Sequence, residues 1–119
     1  MMQLLTQAQR EQMLANGRTS NQYNEEGKLF DPFPVVKLFT PDAGATWLLT
    51  ELDPDYPDIA FGLCDLGMGF PELGSVSLSE ITTVRGPMGL PIERDLHFKA
   101  DRTLSRYAHD ARRAGGIRV

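Results

Sequence analysis

The chain has 119 residues and a mass of 13.3 kDa, with 41% apolar and 24% charged residues. That is the size of one domain and an ordinary globular composition, and it excludes a disordered chain, a collagen and a coiled coil. The net charge of -4 conceals a bipolar chain: residues 1–37 carry four bases and four acids, residues 38–84 eight acids with no Lys or Arg, and residues 85–119 eight bases against four acids.

Thr6-Gln7-Ala8-Gln9 has the spacing of a capping box and Asn16-Gly17 that of a left-handed stop, so a first helix is expected over residues 6–16. Its apolar side (Ala8, Met13, and Leu14 or Ala15) is thin, which predicts a surface helix that adds little core. Residues 17–31 lack periodicity and are rich in Asn, Ser and Gly, reading as a mobile loop. After Pro34, residues 35–40 are β-branched and aromatic and predict a strand, and Pro41-Asp42-Ala43-Gly44 a turn. The returning strand spans residues 45–53, with Trp47 and Leu49 on one face and Leu48 and Leu52 on the other. Pro54 and Pro57 mark a second turn.

A third strand follows over residues 59–66, placing Ile59, Phe61 and Leu63 on one side and the small Ala60, Gly62 and Cys64 on the other, where a helix can pack closely. Residues 67–74 contain three glycines and read as a loop. The stretch from Ser75 to Val84 mixes alternation with a second capping box and is read as a short strand followed by one helical turn. Residues 90–99 predict another strand, with Leu90, Ile92, Leu96 and Phe98 inward and Arg94 the misfit on that face. A closing helix over residues 103–114 carries Leu104, Tyr107, Ala108 and Ala111 at helical spacing and ends at Gly115-Gly116. The whole is a single small α+β domain over residues 1–119, a mainly antiparallel sheet of four to five strands flanked by an N-terminal and a C-terminal helix. One core between the sheet and the closing helix is expected to hold Trp47, Leu49, Phe61, Leu63, Ile92, Leu96, Phe98 and Tyr107.

The densest chemistry is the run Glu51, Asp53, Asp55 and Asp58, with Asp65 and Glu72 in the same block. Hard cations want several oxygen ligands, but the run lacks the glycine and closing glutamate of a calcium loop, so a solvated turn outweighs a metal site. Cys64, His97 and His109 could supply a nucleophile, base and orienter, although Cys64 in an apolar strand reads more simply as a buried filler. Gly67-Met68-Gly69 resembles a phosphate loop faintly, but Pro71 interrupts the helix that would donate amides. Arg102, Arg106, Arg112, Arg113 and Arg118 could meet phosphates, or simply solvate a helix end. Neither a membrane span nor the apolar core of a signal peptide is present, so a cytoplasmic location is expected.

The segments Phe33-Pro34-Val35-Val36-Lys37-Leu38-Phe39, Ala45 through Pro54 and Ile59 through Gly74 resemble the bacterial family known as domain of unknown function 2958. The likeness continues through Val76-Ser77-Leu78-Ser79-Glu80, Arg85-Gly86-Pro87, Glu93-Arg94-Asp95 and Phe98, leaving out mainly residues 18–31. It implies a small accessory protein of plasmids and conjugative elements, and brings no activity, cofactor or catalytic residue with it. The residues favour a non-enzymatic module in which Glu51, Asp53, Asp55, Asp58, Asp65 and Glu72 engage a basic protein surface, such as that of a nucleic-acid-binding protein. Two other readings stand beside it: a metal-assisted hydrolase using Glu51, Asp53, Asp58 and Asp65, and a DNA-binding accessory using the basic C-terminal helix.

Overall fold

A computed structural model describes residues 3–119. The elements run α1 (Gln7–Glu25), β1 (Val36–Phe39), β2 (Thr46–Leu52), β3 (Ile59–Asp65), β4 (Glu72–Ser77), α2 (Leu78–Ile81), β5 (Glu93–Arg94) and α3 (Leu104–Ala114). The strands form one antiparallel sheet in the order β4-β3-β2-β1-β5. The α+β architecture with helices at both ends of the chain is thus the one expected.

α1 starts where the capping box places it: the Thr6 hydroxyl accepts from the Gln9 amide, and the Gln9 side chain accepts from the Thr6 amide. It does not stop at Gly17, and the loop expected over residues 17–31 is helical as far as Glu25. Gly17 is buried within the helix, where an added Cβ would collide with the Leu52 carbonyl and lie 3.1 Å from the Pro54 ring. Its role is close approach of helix to sheet rather than a left-handed cap. Glycine alone does not distinguish these two uses, and that ambiguity misplaced the boundary.

The helix therefore covers a sheet face instead of riding on the surface. Met13 joins there a buried cluster with Val36, Leu38, Trp47, Leu49, Leu52 and Ala60, completed by Leu78, Ile81 and Ile92. α3 covers the opposite face, where Leu104, Tyr107, Ala108 and Ala111 meet Leu48 and Leu63, with Phe61 and Phe98 partly buried beside them. The single core expected from the sequence is two cores: Trp47, Leu49 and Ile92 belong to the α1 face, and Phe61, Leu63, Phe98 and Tyr107 to the α3 face. Strands buried on both faces lose the apolar and polar alternation that would have assigned each residue to a side.

Leu52 was expected to share the face of Leu48 but joins Leu49 on the α1 side. The pairing of β2 with β3 steps from Leu49 opposite Gly62 to Glu51 opposite Phe61, leaving Thr50 as a bulge. One extra residue reverses the facing of everything beyond it. The bulge is fixed by polar contacts: the Thr50 hydroxyl donates to the Phe61 carbonyl at 3.2 Å, and the Thr50 carbonyl accepts from the buried Asn16 carboxamide at 2.8 Å.

β4 starts at Glu72, inside the stretch read as a glycine loop, and the expected single helical turn follows it as α2. The strand expected over residues 90–99 shrinks to Glu93–Arg94, because Asp95 accepts from the His97 amide at 2.8 Å and turns the chain out of the sheet. Leu96 is 65% exposed as a result, and the Arg94 guanidinium reaches the Gln3 carbonyl at 2.6 Å. α3 has no side-chain cap of its own at Thr103. Asp31 supplies one from afar, accepting from the Ser105 amide at 2.9 Å and from its hydroxyl.

Candidate functional site

The β2–β3 turn concentrates charge because two prolines keep its backbone out of the ladder and leave short acidic side chains to organise it. Asp53 accepts from the Asp55 amide at 2.9 Å and the Tyr56 amide at 3.3 Å, closing the turn with one carboxylate oxygen. Asp55 is exposed at its tip. Asp58, at the other end of the turn, accepts from the Ser77 hydroxyl at 2.6 Å and from the Ser79 amide and hydroxyl at 2.9 and 2.8 Å. Those bonds, from Ser77 and then Ser79, hold its carboxyl below the usual carboxylate range, with a smaller contribution from the charge of Arg10.

Glu51 lies just beyond the bulge and is half-buried. Burial pushes its carboxyl above the ordinary value, a hydrogen bond from Ser20 opposes the shift, and the neighbouring Asp53 charge adds to it. Ser20 belongs to the continuation of α1 past Gly17. It helps line a cleft of about 370 Å³, together with Asn21, Asn24, Leu29, Phe30, Glu51, Asp53, Pro54, Phe61 and Ser75. The ring of Phe30 is held edge-on by Tyr23, with centroids 5.2 Å apart. These α1 residues were hidden by the expected stop at Gly17. The signal that finds them is the run Met13, Gly17, Ser20 and Asn24, whose spacing continues one helical face through the glycine.

The other two carboxylates of the acidic block lie elsewhere. Asp65 ends β3 at the opposite edge of the hairpin and is only 4% exposed. Its two oxygens accept from the Gly67 amide and the Ile117 amide, each at 2.8 Å, so it ties the C-terminal segment to the sheet. Glu72 pairs with Cys64 near that same end. Seven residues of β3 separate this end from Asp58, roughly 20 Å along an extended strand. Glu51, Asp53, Asp58 and Asp65 therefore do not converge, and no group of three or more acidic, His or Cys side chains among the described residues is placed to hold a metal ion.

The remaining candidates separate too. Cys64 is partly buried against the α1 cluster, which raises its thiol above the ordinary value, while His97 and His109 are exposed on other elements. Gly67 and Gly69 have φ of +81° and +87° and shape an exposed loop with no helix after it. Of the C-terminal arginines, Arg102 is bound to Asp101 and Asp110 at 2.8 Å each and sits 5.0 Å from the Tyr107 ring. Arg106, Arg112 and Arg113 remain exposed on α3. No helix among the described residues is long and apolar enough to cross a membrane.

The sequence pattern of a family described as protein of unknown function, DUF2958, matches residues 4–118. The chain belongs to this family. No curated protein and no solved structure matches it. The match includes residues 18–31 and so takes in the α1 extension and the cleft it builds. The family description of this DUF2958 domain carries no activity.

Proposed function

We propose that this DUF2958 protein is a non-enzymatic binding module whose acidic β2–β3 turn engages a basic protein surface. The observation that carries the reading is the isolation of Glu51, Asp53, Asp55 and Asp58. The ion pairs among the described residues involve Glu26, Asp95, Asp101 and Asp110, and none of these four. Like charges grouped at one turn, offset only at Asp58 by the nearby charge of Arg10, raise the local potential and steer an oppositely charged partner, in a manner that salt suppresses. Asp65 and Glu72 are set aside from this surface, the first because backbone amides occupy both of its oxygens and the second because it lies at the far end of the sheet. The partner we favour is a nucleic-acid-binding protein, met in the cytoplasm by an accessory protein of a plasmid or conjugative element.

The test is binding of an arginine- and lysine-rich peptide to the intact chain over a series of salt concentrations. The double variant Asp53→Asn plus Asp55→Asn removes two charges while keeping an acceptor at position 53 for the turn. It is expected to bind several-fold more weakly, with a shallower salt dependence. Equal binding by parent and variant would refute the acidic-turn reading.

A further inference from the structure

We propose that the cleft between the C-terminal half of α1 and the Glu51 end of β2 is a receptor for a guanidinium group, the side chain of an arginine presented by the partner. The proposal rests on the acidic-turn reading for the partner's overall charge and adds what seats in the cleft. Its volume of about 370 Å³ lies at the lower end of small-molecule sites and has room for one long side chain.

The lining selects the chemistry. Glu51 and the second carboxylate oxygen of Asp53 repel anions, and neither residue has an ion-pair partner among the described residues. A half-buried carboxylate without a counter-charge is costly, and a cation seated beside it relieves that cost where a neutral ligand would not. In α1 the Asn16 carboxamide is occupied by Gln12 and the Thr50 carbonyl. Asn21 and Asn24, both exposed, also line the cleft from α1. Two carboxylates and two carboxamide oxygens can accept from a planar fork of five N–H donors, which an ammonium with three donors on one atom matches less well. Leu29, 86% exposed, and Phe30 border the same cleft. They give apolar surface for an aliphatic stem and an aromatic ring against which a guanidinium stacks.

The experiment follows backbone amide resonances of the full chain during titration with three end-capped peptides of Gly and Ser, bearing one central Arg, Lys or citrulline. The Arg peptide is expected to give saturable shifts at Ser20, Asn24 and Glu51. The Lys peptide should bind at least about five-fold more weakly and the uncharged citrulline peptide not measurably. Glu51→Gln should weaken the Arg peptide roughly ten-fold, and Leu29→Ser, at an exposed position that cannot unfold the chain, by about two- to three-fold. Equal affinity for Arg and Lys peptides, with shifts confined to Asp55 and Asp58, would overturn the guanidinium receptor and leave the acidic turn standing. Silence toward both peptides, and toward the basic peptide of the preceding test, would overturn both.

Discussion

Replacing Gly17 by Ala sets two physical effects of opposite sign against each other. In an exposed helix interior the change is favourable by about 1 kcal/mol, because glycine loses more backbone entropy and leaves more backbone hydrated. At Gly17 the new Cβ would enter the Leu52 carbonyl oxygen and lie 3.1 Å from both the Leu52 carbonyl carbon and Pro54 Cδ. Two of these neighbours are backbone atoms of a buried strand and the third is a ring, so none can swing aside. Relief requires α1 and β2 to separate by on the order of 1 Å, an overpacking distortion costing about 1 to 3 kcal/mol. The same separation stretches the buried bond from Asn16 to the Thr50 carbonyl, now 2.8 Å, and a buried polar group left without its partner costs about 1 to 3 kcal/mol more. Subtracting the propensity gain leaves a destabilisation of about 1 to 5 kcal/mol, a large part of the roughly 5 to 15 kcal/mol holding a domain of this size. Urea denaturation of parent and Gly17→Ala measures it directly. Gly17→Asn separates the two uses of glycine, since asparagine is tolerated at a left-handed cap but not in a helix pressed against a strand. A Gly17→Ala protein as stable as the parent, or Gly17→Asn more stable than Gly17→Ala, would refute the close-approach account.

Leu48→Ala should cost about 2 to 5 kcal/mol in the same assay, because Leu48 is fully buried under α3; Leu96→Ala, at a residue 65% exposed, should change stability by less than about 0.5 kcal/mol. Asp58 has a folded-state pKa below its ordinary value, so its contribution is present above that ordinary value and lost as pH falls through the folded one. Asp58→Ala should therefore flatten the acid limb of a plot of melting temperature against pH, and an unchanged limb would show that the Ser77 and Ser79 bonds do not stabilise the fold. Glu51 has the opposite sign: its raised pKa means that ionisation weakens the folded state as pH rises through the ordinary carboxylate range. Glu51→Gln should melt higher than the parent at neutral pH and lose that advantage in acid. Asp65→Ala removes the acceptor shared by the Gly67 and Ile117 amides, and hydrogen exchange at Ile117 should accelerate while that at Leu48 stays slower.

Local sequence by itself determined the parts of this protein that depend on neighbours in the chain. Thr6 and Gln9 placed the start of α1, Pro41 through Gly44 and Pro54 through Pro57 placed turns, and the period of Leu104, Tyr107, Ala108 and Ala111 placed α3 with its buried face. Capping bonds, proline geometry and helical period act over a few residues, so they are legible in the residues themselves. The acidic run from Glu51 to Asp58 was legible in the same way, as composition on a turn. Only the tertiary structure decided that Gly17 continues a helix, because the reason is the Leu52 carbonyl, 35 positions away. Only pairing with β3 created the bulge at Thr50 that moved Leu52 to the α1 face, and only two helices on opposite faces split one expected core into two. The two ends of the acidic block were likewise parted by the length of β3, which left Glu51 beside Ser20 and sent Asp65 to anchor Ile117. These outcomes follow from contacts between residues distant in sequence, whose steric and hydrogen-bonding terms outweigh local propensity and leave no periodic trace in the chain.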